Sequence, residues 1–149
     1  MKQKKVLPPT YLFIALVAMA ALHFVLPLGK VIPWPYHFVG VLPLVIGSVI
    51  NVWSSNLFTK YETTVKPFER AEGLVMEGPF RVSRHPMYLG MVLILAGCAL
   101  LLRSLVPFFV VLLFAAFMDT KFIRVEEQMM EESHGDAYRE YKKRVRRWI

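Results

Sequence analysis

Four stretches of this chain carry no Asp, Glu, Lys or Arg: Val6 to Gly29, Val31 to Thr59, His85 to Leu102 and Ser104 to Met118. A helix needs about 20 largely apolar residues to cross the hydrocarbon core of a bilayer, so four membrane-spanning helices are predicted, the last two short. Composition agrees. With 56% hydrophobic residues and a mean hydropathy of +0.45, a chain of 149 residues has more apolar surface than a soluble domain of that length can bury. The predicted fold is an all-α integral membrane protein, a single domain over residues 1–149, with spans near residues 10–28, 36–58, 86–102 and 105–125. Only Arg103 and Ser104 separate the last two spans, which makes them a tight helical hairpin turning at the membrane surface. The fourth helix is expected to continue past Met118 into water.

Orientation follows from Lys and Arg, which stay on the cytoplasmic side during insertion. One face would receive Lys2, Lys4 and Lys5, the middle loop with Lys60, Lys66, Arg70, Arg81 and Arg84, and the tail from Lys121 to Arg147; the other receives Lys30 and Arg103. Both termini, the loop 59–85 and the tail 126–149 are therefore predicted to be cytoplasmic. The net charge of +7 reads as attraction to anionic headgroups, because the basic residues flank spans and form no soluble basic face; no nucleic-acid partner is expected. The KQKK start has the outline of a cleavable signal, but the apolar run is long and HFVLPLGK lacks a small-residue cleavage pattern, so a retained span is expected. The one cysteine, Cys98, lies inside the third span as a small apolar residue, and no metal site is predicted.

Polar residues within the spans are few, and membranes make them costly. His23 and His37 lie near span ends, where an interfacial role suffices. In SVINVWSSNLF, helical spacing puts Ser48, Asn51 and Ser55 on one face, where they can line a polar pocket or hydrogen-bond a neighbouring helix. Gly40 with Gly47, and Gly90 with Gly97, recur at a spacing that favours close helix contact.

The middle segment TKYETTVKPFERAEGLVMEGPFRVSRHP contains Pro67, Gly73, Gly78-Pro79 and Pro86, so ordered turns are expected in place of a helix. Pro86 suits the first turn of the third helix. His85 then stands at its N-cap with Arg81 and Arg84 just outside, where free backbone N–H groups and cations can meet an anion. In FMDTKFIRVEEQMM, Asp119, Glu126 and Met130 share a stripe with Phe122 or Ile123, while Glu127 points about 100° away. That stripe faces either protein and a cavity or plain solvent. Gly135-Asp136 ends the helix, and the next one carries Tyr138, Tyr141, Val145 and Trp148 on one side, an amphipathic pattern suited to an anionic lipid surface.

Two of these segments together, GLVMEGPFRVSRHPMYLG and, after a hairpin, EEQMMEESHGDAYREYKKRVRRW, resemble the integral-membrane methyltransferases of the isoprenylcysteine carboxyl methyltransferase and phospholipid methyltransferase group. The resemblance runs from about Thr63 to Ile149. It implies an enzyme that uses S-adenosylmethionine, releasing S-adenosylhomocysteine, without a dinucleotide-type fold, and indeed no G-x-G-x-x-G follows a strand here. Carried over residue by residue, it implies a cofactor pocket of Glu72, Gly73, Leu74, Val75, Phe80, His85, Pro86, Met87, Tyr88 and Glu126. Phe80 stands where the family commonly has tyrosine. Glu126 would take the cofactor's ammonium, His85 and the helix start its carboxylate, and Leu74, Phe80 and Tyr88 its adenine. No covalent enzyme intermediate is expected.

Carboxylate-methylating members have an arginine four residues before the key glutamate; here that position is Phe122, with Arg124 and Lys121 off register. Phe122, Arg124 and, on the second span, Asn51 are the candidate acceptor-binding residues. The resemblance implies a lipophilic acceptor entering from the bilayer, ranked lipid amine, lipid carboxylate, then small thiol or phenol. The rival readings are a membrane reductase of related fold using NADPH, and a nonenzymatic lipid-binding scaffold.

Overall fold

A computed structural model describes residues 7–26, 29–61 and 74–149. Five α-helices follow in order: α1 (Pro8–Val25), α2 (Val41–Lys60), α3 (Pro86–Leu102), α4 (Val106–Met118) and α5 (Arg124–Arg144). A 3-10 turn, Tyr36–Gly40, leads into α2, and a π-helical turn, Asp119–Ile123, joins α4 to α5 without a break. Three helical runs, Pro8–Val25, Tyr36–Lys60 and Val106–Arg144, are long and apolar enough to cross a membrane. The fold is thus the helical membrane fold that the charge-free runs predict. α3 has 17 residues, about 26 Å of helix. It is also the most enclosed helix: Met91, Leu95 and Ala99 are buried between α1, α2 and α4.

Glycine places α3 against α2. The two helices run antiparallel, with Gly40 opposite Gly97 and Gly47 opposite Gly90. A Cβ on Gly40 would lie 2.5 Å from the Gly97 carbonyl oxygen, and one on Gly47 equally close to that of Gly90, so the backbones touch where any larger residue would part them. The seven-residue spacing noted above is the signature of this seam. On the other side of α3, Met19, Leu95, Met118 and Ile123 form the fully buried centre. Tyr11, Phe117 and Phe122 stack beside them, with Tyr11 and Phe117 centroids 5.0 Å apart. The outer faces of α1 and α2 expose Phe13, Val17, Phe24, Leu42, Val45, Val49 and Val52, the surface that a lipid solvent covers.

The two ends of the bundle differ in charge. At one end Arg103 closes the α3–α4 turn in a left-handed conformation (φ 64°), donates from Nε to the Ile32 carbonyl at 2.8 Å, and accepts the Val31 N–H at 2.9 Å. His23 reaches Ser104 there, with Nδ1 and Oγ 2.7 Å apart, so this histidine is a packing partner of the hairpin turn. At the opposite end lie Arg84, the paired glutamates and the segment after α5. Gly135, at φ 51° and ψ −122°, breaks α5 and folds its last part back. The returning helix is amphipathic as expected. Its aromatic side, however, packs on protein: Tyr138, Tyr141 and Val145 are buried with Leu74 and Met130, and Trp148 lies against the main core. The Tyr141 hydroxyl donates to the Phe80 carbonyl at 2.6 Å, clamping the middle segment to this helix.

Candidate functional site

The segment before α3 is held by backbone chemistry. Pro86 occupies the first turn, where its missing N–H costs nothing, and His85 takes the N-cap position in a non-helical conformation (φ −127°, ψ 58°). Its own N–H is satisfied by Ser83 Oγ at 3.1 Å. Ser83, fully buried, donates its hydroxyl to the Arg147 carbonyl at 3.0 Å, and the Arg84 N–H donates to the Arg146 carbonyl at the same distance. The residues following α5 are therefore hydrogen-bonded to those preceding α3.

Across from this corner stand the two glutamates of α5. Adjacent helical residues diverge by about 100°, yet both carboxylates reach His85 because the imidazole sits between them. Nδ1 is 3.6 Å from Glu126 Oε2, and Nε2 is 3.4 Å from Glu127 Oε1. The Tyr88 hydroxyl, one turn into α3, donates to Glu126 Oε1 at 2.5 Å. Glu126 remains partly open, with 21% of its side chain exposed. Glu127 is different: 5% exposed, it accepts from Arg147 Nη2 at 2.7 Å and Nε at 3.2 Å, and pairs with Arg84 Nη2 at 2.9 Å. Arg147 also donates from Nη1 to Asp119 Oδ1 at 3.2 Å, while Arg124 Nε takes Asp119 Oδ2 at 3.0 Å. The π turn brings Arg124 over Asp119, five residues earlier.

Electrostatics follow from the geometry. Burial by itself pushes the Glu127 carboxyl upward, but the hydrogen bonds of His85 and Arg147 and the charge of Arg84 outweigh it and bring it down to about 2. For His85, burial opposes the charged imidazolium, and the hydrogen bonds to Glu126 and Glu127 prevail, leaving its pKa above the ordinary histidine value.

Of the residues expected in the site, His85, Tyr88 and Glu126 come together, with Pro86 and Met87 forming the helix turn beneath them. Leu74 lies with Tyr138 and Tyr141, and Val75 and Phe80 pack with Leu57 and Phe58. Glu72 and Gly73 lie outside the described residues. Asn51 sits on the glycine seam, donating to the Gly47 carbonyl at 3.0 Å, and Ser48 bonds back to Leu44. Phe122 is buried, with its ring beside Tyr11, Tyr88 and Phe117. Arg124, 62% exposed at its side chain, borders a cavity of about 380 Å³ between α5 and the returning segment, together with Glu127, Glu131, Lys142 and Arg147.

Ser83, Arg84, Glu127 and Arg147 escaped the sequence reading as site builders. Arg84 was expected to offer its charge to an anionic group outside; the structure gives that charge to Glu127. The available signal was the dipeptide Glu126-Glu127 with arginines on both flanking segments, since a carboxylate that turns inward needs cations to turn with it.

The donor set suits an amino-acid-like group. Glu126 is a held but accessible carboxylate for an ammonium, and among the described residues the buried Nε of Arg84 has no hydrogen-bond acceptor. The first N–H groups of α3 are likewise free of intrahelical partners. In comparisons with known proteins, residues 35–137 match the family described as phospholipid methyltransferase. An uncharacterized protein of Haemophilus influenzae is 38% identical over 63 residues, which make up 42% of this chain and 100% of that protein. No solved structure matches. The matched family region runs from the turn before α2 through the glycine seam, the hairpin and both glutamates, and on that extent the chain belongs to the phospholipid methyltransferase family, a family of membrane methyltransferases.

Proposed function

We propose that this protein transfers a methyl group from S-adenosylmethionine to a lipophilic acceptor, at the cytoplasmic edge of the membrane. The observation that carries the reading is Glu126, a partly open carboxylate fixed by Tyr88 and His85 where an apolar bundle meets a charged cap. S-adenosylmethionine, when bound, supplies an electrophilic methyl on a sulfonium. The chain's own residues bind and orient. Glu126 accepts the ammonium, and the Met87 and Tyr88 N–H groups at the start of α3, with the His85 imidazole, receive the carboxylate. The apolar bundle keeps water from the reacting centre, so the acceptor meets the methyl group in line and without a competing solvent nucleophile. Membership of a methyltransferase family weighs against the reductase and scaffold readings.

A lipid amine stands ahead of a lipid carboxylate as acceptor. The position from which an arginine could orient a carboxylate holds Phe122, buried among aromatic rings, and Arg124 is engaged by Asp119. The positive flanks support cytoplasmic termini. Titration calorimetry of the purified protein with S-adenosylhomocysteine and, separately, with NADPH tests the reading: binding of the first alone is expected, and binding of NADPH alone would replace methyl transfer by reduction. Incubation with methyl-labelled S-adenosylmethionine and a total lipid extract then identifies the acceptor, with label expected in an amine-bearing lipid.

A further inference from the structure

The segment after α5 is built as part of the site, although nothing in the proposed chemistry uses it. Residues 146 and 147 give their carbonyls to the Arg84 N–H and the Ser83 hydroxyl, and Ser83 in turn caps His85. The Arg147 side chain grips Glu127 with a two-pronged contact and extends its third nitrogen to Asp119 on the π turn. One residue therefore ties together the start of α3, the glutamate turn of α5 and the junction with α4. A fork of this kind constrains direction as well as distance, which a single ammonium would not do.

We propose that Arg147 is a positioning residue: it holds Glu127 so that His85 is shared between the two carboxylates, keeping Glu126 turned toward Tyr88 and open to the cofactor's ammonium. The cofactor part of this statement rests on the function proposed above; the geometric part does not. His85 is faced by Glu126 and Glu127 from α5 and by Tyr88 from α3, with Arg84 and Arg147 acting on it through Glu127 and Tyr138 close to both carboxylates. Removing Arg147 takes from Glu127 its two-pronged hydrogen bond and one of its two arginine counter-charges. The freed carboxylate then pulls the imidazole toward itself, and His85 should hold its proton to higher pH.

The full-length protein in detergent, with isotope-labelled histidine and His85 assigned through a His85→Gln variant, allows both consequences to be read. Arg147→Gln is expected to raise the His85 titration midpoint and to weaken S-adenosylhomocysteine binding roughly tenfold, as loss of a charged hydrogen bond at a site does. Arg147→Lys, which keeps the charge without the fork, should fall between wild type and Arg147→Gln on both readouts; if the glutamine variant does not fold, that intermediate shift alone is the test. Glu127→Gln should move the midpoint the opposite way. A merely structural role predicts something else, a His85 midpoint falling toward the ordinary value in all these variants alike, and that result would overturn the proposal, as would wild-type behaviour of both Arg147 variants. If wild-type protein fails to bind S-adenosylhomocysteine, the cofactor reading falls, while the direction of the His85 shift still decides the role of Arg147.

Discussion

Glu126 and Glu127 are chemically identical neighbours with different surroundings. Glu127 is enclosed by two arginines and a histidine, so its charge is spent on holding the corner together. Glu126 has one hydroxyl, one distant imidazole nitrogen and an open side, so its charge is available. Glu126→Ala should abolish S-adenosylhomocysteine binding while leaving far-UV helicity and detergent melting close to wild type; intact binding would remove it from the site. Tyr88→Phe deletes one hydrogen bond to a carboxylate and nothing of the ring packing, so about 1.5–3 kcal/mol of orientation is lost and binding should weaken by roughly tenfold or more in calorimetry. Glu127→Ala is expected to act on folding instead, because it strands Arg84 and Arg147, at a cost of about 3–5 kcal/mol visible as loss of monodisperse protein.

At the scale of elements, the α2–α3 seam and the corner before α3 control different properties. Gly47→Ala would put a methyl against the Gly90 carbonyl, which cannot yield without separating the helices. Overpacking of that kind costs about 1–3 kcal/mol, so the variant should melt earlier in detergent. The corner responds to pH. A carboxyl held down to about 2 stabilises the fold above its ordinary value of 4.5, and that contribution is lost as pH falls toward 2. An imidazole held above its ordinary 6.5 contributes fully below that value and loses its contribution as pH rises through the folded value. These two groups together give maximal stability between pH 4.5 and 6.5. Melting curves across that range should show the maximum, and Glu127→Gln should flatten its acid side.

For the whole molecule, one end of the bundle carries Lys30 with Arg103 and the other carries the charge-rich site. The positive-inside rule supports the proposal that the site faces the cytoplasm. In a Cys98→Ala background, Lys30→Cys should react with a membrane-impermeant maleimide added outside intact cells, and Ser133→Cys should react only after the membrane is opened; the reverse pattern would invert the topology. A dry bundle beneath a charged cap also accounts for the exposed apolar faces of α1 and α2, which lipid covers.

Charge-free runs, the glycine spacing and Pro86 were enough to foretell membrane helices, the hairpin and the start of α3, because bilayer thickness, backbone contact and the missing proline N–H are local constraints that a linear string expresses directly. The family motifs likewise singled out His85, Tyr88 and Glu126. The division of labour between Glu126 and Glu127, and the part taken by Ser83 and Arg147, arise from contacts between residues 20 to 64 positions apart. No local period records such contacts. The returning helix makes the same point: its stripe of Tyr138, Tyr141 and Val145 would suit lipid or protein equally by pattern, and the turn at Gly135 is what directs it onto Leu74 and Met130. Amphipathicity states that a face must be buried, whereas the path of the chain in space selects what buries it.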